Sequence, residues 1–119
     1  METNSLLSLL LPKEIALHFD LITAKEEESK IVFCLEEKNI VPAPLKSEEY
    51  ESKGFFKEQR VQDFPIRGKE VYLKIKRRRW RHKISKEEVK REWNSVTKGA
   101  KLTADLADFL KEYHRVTGR

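Results

Sequence analysis

Cysteine is almost missing from this chain; Cys34 stands alone. A single thiol closes no internal disulfide, and without a Cys-x-x-Cys pair a thiolate zinc site has no donors. No long apolar run occurs either. The stretch Leu6–Leu11 is far shorter than a bilayer span, and it lacks the basic flank and small-residue cleavage site of a secretory leader. There is no internal repeat, no low-complexity segment and no glycine-rich phosphate loop. These absences lead to the expectation of a soluble cytoplasmic protein with no membrane partner.

What is present is charge. Of 119 residues 38% are charged and 39% hydrophobic, so the core must be modest and each element must show one face to water. Six Phe, three Tyr and two Trp argue against overall disorder. The two signs are unevenly placed. Residues 1–53 carry 6 Lys and Arg against 11 Asp and Glu, whereas residues 54–119 carry 19 against 9. Such a split suggests an acidic part and a basic, polyanion-facing part, unless the two simply attract each other.

Periodicity predicts an α+β fold, with two antiparallel hairpins in a small sheet, a short N-terminal helical element and a C-terminal amphipathic helix. Short helices are expected near 3–10 and 12–18, with Pro12 opening the second. Phe19, Leu21 and Thr23 alternate, as do Ile31, Phe33 and Leu35, which predicts a hairpin with Glu26–Glu28 at its turn; a long helix is the rival reading. Residues 39–53 read as a linker between a unit at 1–38 and a basic unit at 54–119. A second hairpin runs from Phe55 or Phe56 to Phe64, turns at "PIRG", and continues through Val71, Leu73 and Ile75. Residues 82–93 read as a loop and a third strand with Val89 and Trp93 inward, or as a short helix over Ser85–Arg91. "KLTADLADFLKEYHRV" is the clearest helix, with Thr103 as its N-cap.

The most unusual stretch is "KIKRRRWRHK". Lys57 to Lys83 hold 11 Lys and Arg against 3 Asp and Glu. Strict alternation after Ile75 would bury Arg77 and Arg79, which is too costly without partners. Either the strand leaves the core there, or a bulge shifts its register. A basic ribbon of this kind neutralises phosphates, releases counterions and fits a DNA groove. The candidate contacts are Lys74, Lys76, Arg77, Arg78, Arg79, Trp80, Arg81 and Lys83, with Lys90 and Arg91 extending the patch. Arg78 and Arg79 are the expected base readers, and Tyr72 and Trp80 the aromatic groups. For Trp80 and Trp93 a core position is the stronger reading. Pairing of Arg77–Arg81 with Glu26–Glu28 or Glu36–Glu37 would count against a polyanion face.

The same residues carry a resemblance. Arg60, Asp63, Phe64, Pro65, Gly68, Val71, Leu73, Ile75, Arg78, Arg79 and Trp80 follow the pattern of the zinc-ribbon leader of bacterial insertion-sequence DDE transposases. The stretch "EWNSVTKGAKLTADLADFL" is similar to the family's segment after that ribbon. From "LLLP" to the last helix, the chain resembles the short N-terminal region protein of ISAon-type elements. The zinc ligands of that family are absent, and His82 stands where a cysteine would, so no metal and no other cofactor is expected. The resemblance implies a bacterial, nucleoid-associated protein. Its implied partners are DNA at a transposon end, a catalytic transposase subunit and a second copy of the chain.

A DDE centre needs three spaced carboxylates holding two metal ions. Asp63 reads as a turn residue, and Asp105 and Asp108 as helix-surface residues. Cys34 reads as a strand residue rather than as a nucleophile paired with His18 or His82. The expectation is a non-enzymatic, DNA-binding accessory region of a transposase. The runner-up is a module that docks a catalytic subunit or another acidic partner without touching DNA.

Overall fold

Pro12, with its fixed φ and missing N–H, suits the entry to a helix. Helix α1, Lys13–His18, starts directly after it, and the Ala16 N–H donates to the Pro12 carbonyl at 3.0 Å. The computed structural model describes residues 8–92 and 101–117. Residues 8–10 are helical; the remainder of the helix expected near 3–10 lies outside the described residues, as does Trp93.

Strands β1 (Phe19–Glu27) and β2 (Lys30–Glu37) form the first hairpin, not the rival long helix. Its two-residue turn begins at Glu28, which adopts a positive φ of 55°. A bulge at Ile22 resets the register. Leu21 faces Leu35, but Thr23 faces Cys34 and Ala24 faces Phe33. Thr23 therefore leaves the face it was expected to share with Phe19 and Leu21, because one extra residue reverses the alternation.

The second hairpin, β4 (Gln59–Ile66) and β5 (Lys69–Lys76), turns at Arg67 and Gly68. Both residues have positive φ, 51° and 78°, as in a type I′ turn whose twist matches the strands. Its first strand was expected to begin at Phe55 or Phe56. Instead a separate strand, β3 (Tyr50–Phe55), ends beside Gly54 at φ 87°.

Strands β2 and β5 pair in parallel, which gives a four-stranded sheet in the order β1-β2-β5-β4. The hairpin at 1–38 and the hairpin of 54–119 thus share one sheet. Leu11, Ile15, Ala16 and Phe19 pack in one core with Phe33, Leu35, Val61, Val71, Leu73 and Ile75. Residues 39–53, expected as a linker, do not separate two cores. They cross between the hairpins, turn through a 3-10 segment at Ser47–Glu49 and enter β3.

The strand of the basic run passes from one sheet to another. After Lys76 it breaks at Arg77, then resumes as β6 (Arg78–His82). There it pairs with β3 on one side and with β7 (Glu88–Val89) on the other. Of the two readings of residues 82–93, the third strand is the observed one in Glu88–Val89, with Val89 half-buried opposite Trp80. On β5 the buried positions are Val71, Leu73 and Ile75, and on β6 the buried position is Trp80. The burial phase has shifted by one residue across Arg77, which is how the chain avoids burying a run of guanidiniums.

Helix α2, Ala104–Thr117, is tied to the free edge of β4. The Gln62 N–H donates to the Lys101 carbonyl at 2.8 Å, and the Thr103 N–H donates to the Gln62 carbonyl at 2.9 Å. Thr103 is the N-cap; its hydroxyl accepts from the Leu106 N–H at 3.2 Å. The architecture is α+β, as the periodicity predicted. Among the described residues, no helix is long and apolar enough to cross a membrane.

Candidate nucleic-acid interface

The basic run divides into two groups with different surroundings. The arginines of β6 face acidic or carbonyl partners supplied by the two sheets. Arg78 donates through Nε to the Glu37 carbonyl at 3.1 Å and through Nη1 to the Ser52 hydroxyl at 2.7 Å. Its backbone N–H donates to Glu37 Oε1 at 2.9 Å. Arg79 forks onto Glu88, with Nη2 at 3.0 Å from each carboxylate oxygen. Arg81 Nη2 donates to Glu51 at 3.0 Å, and that bond holds the Glu51 carboxyl below its ordinary range. Arg91 Nε donates to Glu37 Oε2 at 3.0 Å, and its Nη2 to the Ile40 carbonyl at 2.7 Å. Arg77 sits half-buried at the break and donates to the Arg91 carbonyl; burial lowers its pKa, against the pull of Glu37.

Arg78 meets Glu37, one of the pairings that counts against a polyanion face, and Arg91 meets the same carboxylate. Arg79 and Arg81 are matched by carboxylates on neighbouring strands. Trp80 is 0% exposed and donates through Nε1 to Asn39 Oδ1 at 2.9 Å, so its ring has no face to offer a base. Arg78 lies over Phe55 at 4.5 Å, while Arg79 and Lys90 approach Phe56 at 5.5 and 5.8 Å. His82 closes its turn by accepting the Ile84 and Ser85 N–H groups at Nδ1, at 3.2 and 3.1 Å. Among the described residues no group of three His, Cys, Asp or Glu is placed to hold a metal.

The lysines have a different setting. Tyr72, Lys74 and Lys76 alternate with the core residues of β5 and so share the outer face of the larger sheet. Lys76 is 3.9 Å from Glu36. Register adds residues that sequence reasoning left out of the set. Arg60 on β4 pairs with Lys74, and Gln62 with Tyr72. The Arg60 guanidinium lies over the Tyr72 ring, 4.3 Å from its centroid, and Lys30 reaches it from β2 at 5.5 Å. Tyr72 is fixed by its hydroxyl, which donates to Glu70 at 2.7 Å; that bond raises its pKa. Val32, opposite Tyr72 in register and outside the core cluster, is buried.

Beside Tyr72 is a shallow depression of about 810 Å³, lined among others by Lys57, Gln59, Arg60, Gln62 and Lys101. Lys101 arrives there because residues 101–103 run along the β4 edge. The alternation of Arg60 and Gln62 was visible in the sequence; the approach of Lys101 and Lys30 was not. Lys83 and Lys90 are exposed near the smaller sheet, away from this face. No family model matches the chain, and no curated protein or solved structure matches it.

Proposed function

We propose that the chain is a non-catalytic, DNA-binding accessory region of an insertion-sequence transposase. The observation that carries the reading is the outer face of the larger sheet, where Lys30, Arg60, Lys74 and Lys101 gather round Tyr72 with Lys57 beside them. Cations at this density attract a polyanion and release its counterions. The transposase context rests on the resemblance of residues 60–80 to the ribbon leader of those enzymes. In this reading the phosphate contacts are Lys57, Arg60, Lys74 and Lys101.

The test is fluorescence anisotropy with a labelled random duplex and with the element's terminal repeat, each at low and moderate salt. Binding that weakens steeply with salt is expected, and tighter binding to the repeat gives the chain an end-recognition role. Replacing Arg60, Lys74 and Lys101 with Gln should weaken binding to every sequence and flatten the salt slope. Absence of binding at low salt would overturn the reading.

One observation favours docking of a protein instead. Phe109 and Tyr113 on α2 are each 53% exposed, and Phe64, Phe109 and Tyr113 form a row with ring centroids 5.6 and 6.5 Å apart. A catalytic subunit that docks on this row would be released by Phe109→Ser and unaffected by the lysine changes.

A further inference from the structure

We propose that the outer face of the larger sheet is a platform for single-stranded nucleic acid, with an unpaired base stacked at Tyr72 and Arg60 and the flanking phosphates held by Lys57, Lys74 and Lys101. The proposal rests on the DNA-binding reading and narrows it to a strand whose bases are exposed. Three features of the face point to this ligand. First, its centre is planar and polarised. The Arg60 guanidinium covers Tyr72 at 4.3 Å, and both groups are of the kind on which unpaired bases stack. Bases inside a duplex are already stacked and gain nothing from such a surface.

Second, the surface is concave rather than protruding. The depression of about 810 Å³ lies within the size range of small-ligand sites, and it is walled on one side by the segment at Lys101 and Leu102 that runs along β4. A duplex is met by elements that project into its grooves. The turn Arg67–Gly68 is at the far end of the same hairpin and is not part of this hollow. Third, the depression mixes cations with amide side chains. Gln59 and Gln62 line it beside Lys57 and Lys101, so hydrogen-bond donors and acceptors for base edges stand next to charges for phosphates. Glu58 on its rim limits how closely a phosphate can approach that corner.

The Tyr72–Glu70 hydrogen bond of 2.7 Å helps to keep the ring in place. Nothing in the site depends on the hydroxyl itself for stacking. Phenylalanine should therefore replace Tyr72 with little effect, whereas leucine should not.

The experiment uses the full chain and fluorescein-labelled twelve-nucleotide oligonucleotides, one single-stranded oligothymidine and one mixed duplex, at equal salt. Wild type should bind the single strand more tightly than the duplex. Tyr72→Leu should lose at least about fivefold for the single strand, consistent with one lost base stack, and little for the duplex; Tyr72→Phe should bind as wild type. Thermal melts of both variants establish that they are folded, and if Tyr72→Leu is not, Arg60→Lys takes its place, since it keeps the charge and removes the planar group. Tighter duplex binding, or Tyr72→Leu binding as wild type, overturns the inference and leaves DNA binding standing. No binding of either oligonucleotide overturns both. Equal competition by an acidic polyglutamate peptide would show attraction by charge alone and likewise overturn the inference.

Discussion

Glu37 is a carboxylate 1% exposed at the end of β2, and two donors meet it there: the Arg78 N–H from β6 and the Arg91 guanidinium from the segment after β7. Removing one member of a buried ion pair strands the other, which typically costs ~3–5 kcal/mol. Glu37→Ala should therefore lower the unfolding free energy in urea by about that amount. Arg79→Ala breaks an exposed pair with Glu88 and should cost less than about 1 kcal/mol. Equal losses for the two would mean that Glu37 is not the joint it looks like. Asp63 is buried too. Burial raises its carboxyl above the ordinary 3.8, although the Phe64 N–H and the Thr103 hydroxyl pull it down. A raised value in the folded chain means that folding favours the proton. The stabilisation is complete below 3.8 and is lost as pH rises through the raised value. Asp63→Asn keeps an acceptor for Thr103 and does not titrate. Wild type should thus lose melting temperature relative to this variant as pH climbs from about 4 into the neutral range.

Among the elements, α2 is anchored to the sheet at its start. Thr103 caps it and also donates to Asp63 at 2.9 Å, so one hydroxyl ties the helix start to the sheet. Thr103→Ala should cost roughly 1 kcal/mol or somewhat more and reduce the helical circular-dichroism signal, whereas Thr103→Ser should restore it. An unchanged signal in Thr103→Ala would place the anchor in the Leu106 packing instead. This helix, its cap and both hairpins could be read from periodicity and turn chemistry, because those signals are local. The fate of the β5–β6 strand was legible only as a choice. The sequence required that Arg77 and Arg79 escape burial, and the observed solution is a break at Arg77 with a shifted phase. The bulge at Ile22 left no such warning, since Thr23 fits either face of a strand.

For the molecule as a whole, the acidic first part and the basic second part meet at several points. Glu36, Glu37 and Glu51 pair with Lys76, Arg91 and Arg81, so part of the charge asymmetry is met within the fold and less remains for a partner. If Lys57, Arg60, Lys74 and Lys101 each neutralise one phosphate of a single strand, the slope of log affinity against log salt should be about −3. Each lysine-to-glutamine change should reduce its magnitude by about 0.7. A slope near −6 would bring the β6 arginines back into the interface.

Spacing along the chain and residue type were enough for the α+β class, the hairpins, the capped C-terminal helix and the location of the excess positive charge. Which cations face a ligand depends instead on contacts between distant segments. Parallel pairing of β2 with β5 sets Glu36 and Glu37 beside the basic strand, the break at Arg77 turns Trp80 inward, and the run of residues 101–103 along β4 brings Lys101 toward Tyr72. Charge density is a property of the chain, but the partner that neutralises each charge comes from far away in sequence, and only folding chooses it.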